Sequence, residues 1–404
     1  MRPTSRTTSR ASWIAAALLS VACAGPTDDV AATWEAAREQ AQAAASEGRL
    51  EDAEAAYRRA LELVDETDDP GRYRVRSLNG LAETLRYQGR LEEAAARYSE
   101  AIEAKARGMG PDSLELAQDW SNLAGHLFRA GDLEGVRQAN EEALRILRTH
   151  YGETHRDVGF SLNNLGMNSW MRGDVETAEQ QIEQAIEILR ESLAARHADT
   201  AAAIGNLAQI KLQSGDLDGA LELTRESIDI LQGNFGPDSL RVARSLNNLG
   251  EILRRQNKLD ASVEVYRRAL TILETKVGPS DPEVATTLNN LALVQRKQER
   301  LTEAETTYQR AAQIFEEAPR ANPADLAVTL FNLARLYTSQ ARYVEAEPLF
   351  KRALEIYEGV AGESHLNVAM VLEGYAEMLR ANGRDSEANP LAQRAREILG
   401  ASDG

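Results

Sequence analysis

Three kinds of residue in this sequence could do chemistry: histidines that titrate near neutrality, adjacent carboxylates, and a recurring set of asparagines and arginines. His155, His197 and His365 would suit general acid or base work, and Glu92-Glu93 and Glu141-Glu142 would suit a carboxylate pair. Spacing removes both readings. The histidines stand 42 residues apart or at a multiple of 42, so they mark one repeated connector position. The glutamate pairs fall on exposed helix faces and act as solvating charge. No H-E-x-x-H, G-x-S-x-G or G-x-x-x-x-G-K-S/T occurs. One cysteine, Cys23, excludes an internal disulfide framework and a thiolate zinc cluster. No nucleophile, base and orienting group can be named together, so no enzyme, cofactor or metal is expected. The remaining chemistry is recognition: amides pair with the backbone of an extended peptide, and guanidinium groups grip carboxylates bidentately.

The elements that would position such groups are legible from composition and period. The chain has 404 residues, 43% hydrophobic, 5% aromatic and 27% charged, with a formal net charge of −17. Apolar residues are too plentiful for intrinsic disorder, and no apolar run reaches the ~18 to 20 residues that span a bilayer. The acidic balance argues against nucleic acid as a partner, because phosphates demand a basic footprint.

Residues 1–22 read as a secretory signal: Arg2, Arg6 and Arg10 without an acid, then the ten-residue apolar run Trp13 to Ala22. Leu19-Ser20-Val21-Ala22-Cys23 resembles a bacterial lipobox, which would make Cys23 the lipidated first residue and residues 23–30 a tether. Ala24 after the cysteine, by resemblance to Gram-negative lipoproteins, implies the outer membrane, facing the periplasm, with membrane contact through the lipid alone. The alternative is ordinary cleavage after Ala22-Cys23-Ala24, giving a secreted or periplasmic soluble protein. Losing residues 1–22 removes three positive charges and leaves a formal charge of −20.

The rest is one repeat. SLNGLA (77–82), DWSNLA (119–124), SLNNLG (161–166), AIGNLA (203–208), SLNNLG (245–250), TLNNLA (287–292), TLFNLA (329–334) and VLEGYA (371–376) place Leu81, Leu123, Leu165, Leu207, Leu249, Leu291, Leu333 and Tyr375 at steps of 42. Within a unit the apolar residues recur at i, i+3, i+4, so each unit is two helices and a tight turn. Gly89, Gly131, Gly173, Gly215 and Gly383 supply turns, and small residues such as Ala82, Gly166, Gly250 and Ala292 let helices approach closely. A helix pair cannot bury its apolar face alone, so the units must stack. About nine units are expected over 31–400, the first degenerate from Ala31 and the last a polar cap, followed by a tail at 401–404.

This pattern resembles the tetratricopeptide repeat, more narrowly the 42-residue form of kinesin light chains and many bacterial relatives. SLNNLG, TLNNLA, EAEPLFKRALEIYE (345–358) and the connectors GPSDPEVA and GESHLNVA carry the resemblance. It implies an all-α, right-handed superhelical solenoid of stacked antiparallel helix pairs whose first helices line a concave face. It also implies ligand contacts just before each anchor and one or two turns after it: Asn164, Asn206, Asn247, Asn248, Asn289, Asn290 and Asn332, then Arg254, Arg255, Arg296, Lys297 and Arg335, with Arg244 nearby. The implied function is a protein-interaction scaffold binding an extended acidic or C-terminal peptide across residues 244–335. The same asparagines also serve this family as ties between units, and Phe160, Met167, Trp170 and Met171 form either an apolar pocket or a repacked core. The alternative function is a structural subunit of an envelope assembly that packs through its convex face.

Overall fold

The computed structural model describes residues 26–66, 69–193, 196–319 and 321–402. The expected signal segment and Cys23 lie outside the described residues. The described residues form eighteen α-helices, one short 3-10 turn and no strand. They fall into two compact units divided after Ser192. The first holds α1 (Pro26–Ser46), α2 (Leu50–Glu62), the turn Val64–Glu66, α3 (Pro70–Tyr87), α4 (Leu91–Met109), α5 (Leu114–Ala130), α6 (Leu133–Tyr151), α7 (Arg156–Met171) and α8 (Val175–Ser192). The second holds α9 (Ala198–Ser214), α10 (Leu217–Phe235), α11 (Leu240–Arg255), α12 (Leu259–Lys276), α13 (Pro282–Lys297), α14 (Leu301–Glu317), α15 (Pro323–Ser339), α16 (Tyr343–Ala361), α17 (Leu366–Ala381) and α18 (Asp385–Ser402). Each odd-numbered helix packs on the even-numbered helix that follows it, and within a unit each pair packs on the next. The first helix starts at Pro26 rather than Ala31, since the fixed φ of proline suits the first helical turn.

The repeat sets where helices begin and end. Asp132, Asp216 and Asp281 accept backbone N–H bonds of 2.8 to 2.9 Å at the starts of α6, α10 and α13. The three histidines have the same duty: Nδ1 of His155, His197 and His365 accepts the N–H of Asp157, Asp199 and Asn367 at 3.2 Å. Their role is N-capping, which is why they share one repeat position. At the turn inside each pair one residue takes a left-handed conformation. Gly131 and Gly215 do so, and Asn257, Glu299 and Ala341 hold the same position with φ of 61°, 61° and 57°.

The anchors and small residues do what their spacing predicts. Leu81, Leu123, Leu165, Leu207, Leu291 and Leu333 are buried, and the aromatic rings of Tyr266, Tyr308 and Phe350 are wholly enclosed. A Cβ on Gly250 would meet the Tyr266 ring at 2.6 Å, so that glycine sets how closely α11 and α12 approach. Ser262 Oγ donates to Gly250 O at 2.6 Å across the same contact.

Ionic staples join one pair to the next. Arg90 reaches Glu54 at 2.7 Å, and Arg342 reaches Glu305 at 2.6 Å. Arg384 repeats that contact with Glu347 one period later. Tyr337 and Tyr375 donate to Glu305 and Glu347 at 3.0 and 2.9 Å. The Arg384 guanidinium, then Lys351, holds the Glu347 carboxyl down at about 2 from its ordinary 4.5. Its folded pKa is depressed, so its contribution to stability is complete above the ordinary carboxylate range and fades as pH falls toward 2. Glu347→Gln is therefore expected to lower the melting temperature at neutral pH and to flatten its decline between roughly pH 5 and pH 2. Parallel Tm–pH curves for variant and parent, from circular dichroism, would remove the staple from the account.

Candidate functional site

In the second unit, first helices touch first helices: α9 meets α11, α11 meets α13, α13 meets α15 and α15 meets α17. Second helices make no comparable contact with one another, so the first helices line the tighter side of this unit. That strip carries twelve of the thirteen expected binding residues. Asn164 is exposed on α7 and belongs to the first unit.

The asparagines divide by what they touch. Asn332 Nδ2 donates to Asn289 Oδ1 at 3.1 Å in a buried contact between α15 and α13. Asn247 Nδ2 donates to Thr287 Oγ1 at 2.8 Å, tying α11 to α13. These three hold the stack together, in keeping with the scaffold alternative. Asn248 is exposed, while Asn206 and Asn290 are half-buried on the same strip.

The basic groups divide likewise. Arg244 grips Glu283 bidentately, at 2.6 and 3.0 Å, across α11 and α13. Arg254 and Arg255 share Glu251, which takes two 2.6 Å bonds from Arg254 and one of 2.9 Å from Arg255. Those two guanidinium groups hold the Glu251 carboxyl below its ordinary range against the opposing effect of burial. Lys297 is exposed, and Arg335 is exposed with its guanidinium 5.8 Å from the Phe331 ring centroid. Arg296 differs from all of these. It is half-buried, and no carboxylate or hydrogen-bond acceptor among the described residues meets it. Burial, reinforced by the fields of Arg335 and Arg254, pulls its pKa down. Counting cations along the sequence overstates the charge of the strip, because Glu251 and Glu283 answer three of them. The i+3 and i+4 spacing of Arg254 and Arg255 from Glu251 was the available signal.

Residues 29–107, 115–191, 199–275, 283–359 and 325–401 match the tetratricopeptide repeat family. The chain belongs to that family. Among solved structures it is similar to the apo form of the quorum sensor NprR from B. thuringiensis, at 16% identity over 90% of this chain and 98% of that one, with a TM-score of 0.59. It is similar to the apo form of RapI at 16% identity over 91% and 99%, with a TM-score of 0.58. A Podosopora anserina chain described as a kinesin light chain with nearly identical TPR-like repeats matches at 19% identity over 51% of this chain and 98% of that one, TM-score 0.44. No curated protein matches. At these identities the likeness is one of fold.

A tetratricopeptide array leaves its function to side chains that the stacking does not use, and two groups of these lie outside the thirteen expected binding residues. The buried hydroxyls of Tyr266 and Tyr308 have no hydrogen-bond partner. In the first unit, a cleft of about 510 Å³ opens beside Gly125 and is lined by Asn79, Tyr98, Asn122, His126 and Arg129. His126 stacks on Tyr98 at 4.1 Å, and burial, then Arg129, lowers its pKa, keeping it neutral at pH 7. Phe160, Met167 and Trp170 on α7 are half-buried, and Met171 is 38% exposed. Among the described residues no cluster of histidine, cysteine and carboxylate could hold a metal ion, and no helix is long and apolar enough to cross a membrane.

The two classes of asparagine should separate in stability measurements. Asn332→Ala strands the Asn289 carbonyl in a buried site and is expected to cost about 1–3 kcal/mol in urea unfolding. Asn248→Ala, at an exposed position, should stay within about 0.5 kcal/mol of the parent. Equal losses in the two variants would erase the distinction.

Proposed function

We propose that this tetratricopeptide repeat protein is a non-enzymatic interaction scaffold that binds an extended acidic or C-terminal segment of a partner protein along the first helices of its second unit. The observation that carries the reading is Arg296: a half-buried cation with no internal carboxylate, on a strip that also exposes Lys297, Arg335 and Asn248, in a chain of net charge −17. A cation held partly out of water and unpaired is less favourable than one that an anion from elsewhere answers. The exposed amides then suit the backbone of the segment that brings the anion. A structural subunit packing through its outer surface is the competing reading.

The same proposal includes export and lipid anchoring through Cys23 at a bacterial outer membrane, with contact to the membrane only through that lipid. Its support is the arginine-flanked apolar run and the lipobox-like segment ending at Cys23. Metabolic labelling with palmitate in a bacterial host is expected to mark the chain and to fail for Cys23→Ala. Secretion of an unlabelled product would instead favour cleavage after Ala24.

The groove is tested by fluorescence anisotropy with a labelled glutamate-rich peptide. Charge reversal at Arg296, Lys297 and Arg335 leaves the Glu251 and Glu283 ion pairs intact, so the fold is expected to persist. Affinity should fall at least about tenfold, equivalent to about 1.4 kcal/mol, and parent binding should weaken as salt is raised. Peptide affinity unaffected by the triple reversal would move the interface to the outer surface.

A further inference from the structure

The repeat allows one position to be compared with its counterparts. Two residues after each anchor stand Glu83, Gly125, Met167, Gln209, Glu251, Leu293, Arg335 and Glu377, and three residues further on stand Arg86, Arg254, Arg296 and Arg380 in four of the units. Tyr98, Tyr266 and Tyr308 face these positions from the second helix of their pairs. In α3 and α4 the set is closed: Glu83 accepts from Arg86 at 2.5 Å and from the Tyr98 hydroxyl at 2.7 Å. One carboxylate there satisfies a guanidinium and a phenol together.

Four units on, the set opens. In α11 and α12 Glu251 is taken by Arg254 and Arg255, and the Tyr266 hydroxyl, enclosed by protein, is left without a partner. In α13 and α14 the acid itself is gone: Leu293 occupies its position, and Arg296 and the Tyr308 hydroxyl lose their acceptor together. In α15 the position carries Arg335, which reverses the charge. The charges of Arg254, Arg296 and Arg335 all bear on the Tyr308 hydroxyl, and those of Arg254 and Arg335 bear on Arg296. Three neighbouring first helices thus bring positive charge to bear on Tyr308, while Glu251, the acid at the equivalent position of α11, is already committed to Arg254 and Arg255. Buried polar groups are nearly always partnered, so the orphaned Tyr308 phenol, in the same repeat set as an unpaired guanidinium, marks a missing acceptor.

We propose that Arg296 and the Tyr308 hydroxyl, flanked by Arg254 and Arg335, form an oxyanion site that takes one carboxylate group of the bound segment. The α3–α4 pair indicates the shape of the missing group, since the ligand that closes the equivalent set there is a glutamate head. A planar carboxylate presents two acceptor oxygens, one for the guanidinium fork and one for the phenol. The proposal rests on the reading that this strip binds a segment of a partner. Either a glutamate side chain or a chain terminus can supply the carboxylate.

The experiment uses the full chain carrying Cys23→Ser, with sodium acetate as the probe against sodium chloride at matched ionic strength. Acetate is expected to raise the melting temperature of the parent above its value in chloride. Arg296→Met removes the central cation and should abolish the acetate effect without lowering the melting temperature in chloride. Leu293→Glu restores the acid found at Glu83 and Glu251; this built-in carboxylate should raise the melting temperature in chloride and leave acetate nothing to do. Coincident acetate and chloride curves for the parent, or a Leu293→Glu chain that still responds to acetate, would overturn the site.

Two peptides then separate the sources of the carboxylate: a neutral sequence with a free C-terminus and an amidated one with a single internal glutamate. Whichever binds should lose at least tenfold in affinity with Arg296→Met. An acidic peptide that binds parent and Arg296→Met equally, with no acetate effect, sinks the site and spares the binding strip. Acetate protection without any peptide binding supports the site and sinks the segment reading.

Discussion

Two helices of thirteen to twenty-one residues have one apolar stripe each and cannot enclose it between them, and every other feature of this protein follows from that shortage. The stripe left open on one pair must be covered by the next pair in its unit, so the chain repeats at a fixed step and the residues at the junctions recur with it. Small residues beside the anchors let the helices close up, and enclosed rings such as Tyr266, Tyr308 and Phe350 fill what remains. The polar ties obey the same rule. Asn332 to Asn289, Arg342 to Glu305 and Arg384 to Glu347 each join residues about one period apart. They are contacts between a repeat and its neighbour, not within a repeat.

This arrangement gives the side chains of the tighter strip two employers. A residue there can tie its unit to the next or face solvent, and the same residue type does both at different repeats. Asn289 and Asn332 are occupied with each other, whereas Asn248, one residue from the bonded Asn247, is exposed. Arg254 is neutralised within its own helix, whereas Arg296, one period later, is not. Chemistry in such an array shows as a departure from the repeat rather than as a motif.

Period and polarity were therefore legible in the sequence and partnership was not. Eight anchors at steps of 42 sufficed for the helix pairs, the turns and the family resemblance, because burial imposes them at every unit. His155, His197 and His365 could be recognised as connectors from spacing, but their capping role needs the extended backbone that brings Nδ1 to an N–H two residues on. The basic strip was overcounted because Glu283 answers Arg244 from 39 residues away, a pairing that only the stacked helices reveal. An orphaned hydroxyl is harder still, since the lack of an acceptor at Tyr308 is a property of everything packed around it.

The exchange of glutamate for Leu293 shows how a scaffold of this kind can acquire a site without altering its fold. Leu293 is half-buried, so it gains apolar contact where a carboxylate would have stood, and this gain offsets part of what Arg296 and Tyr308 lose. Backbone, anchors and staples are untouched, because none of them passes through that position. What changes is the polar balance of one junction, which shifts from self-satisfied to short of one acceptor. Arg335 at the same position in the next unit adds charge of the sign that such a vacancy attracts. Stability in the array is shared among many equivalent junctions, so one of them can be left open to an outside group while the rest hold the stack.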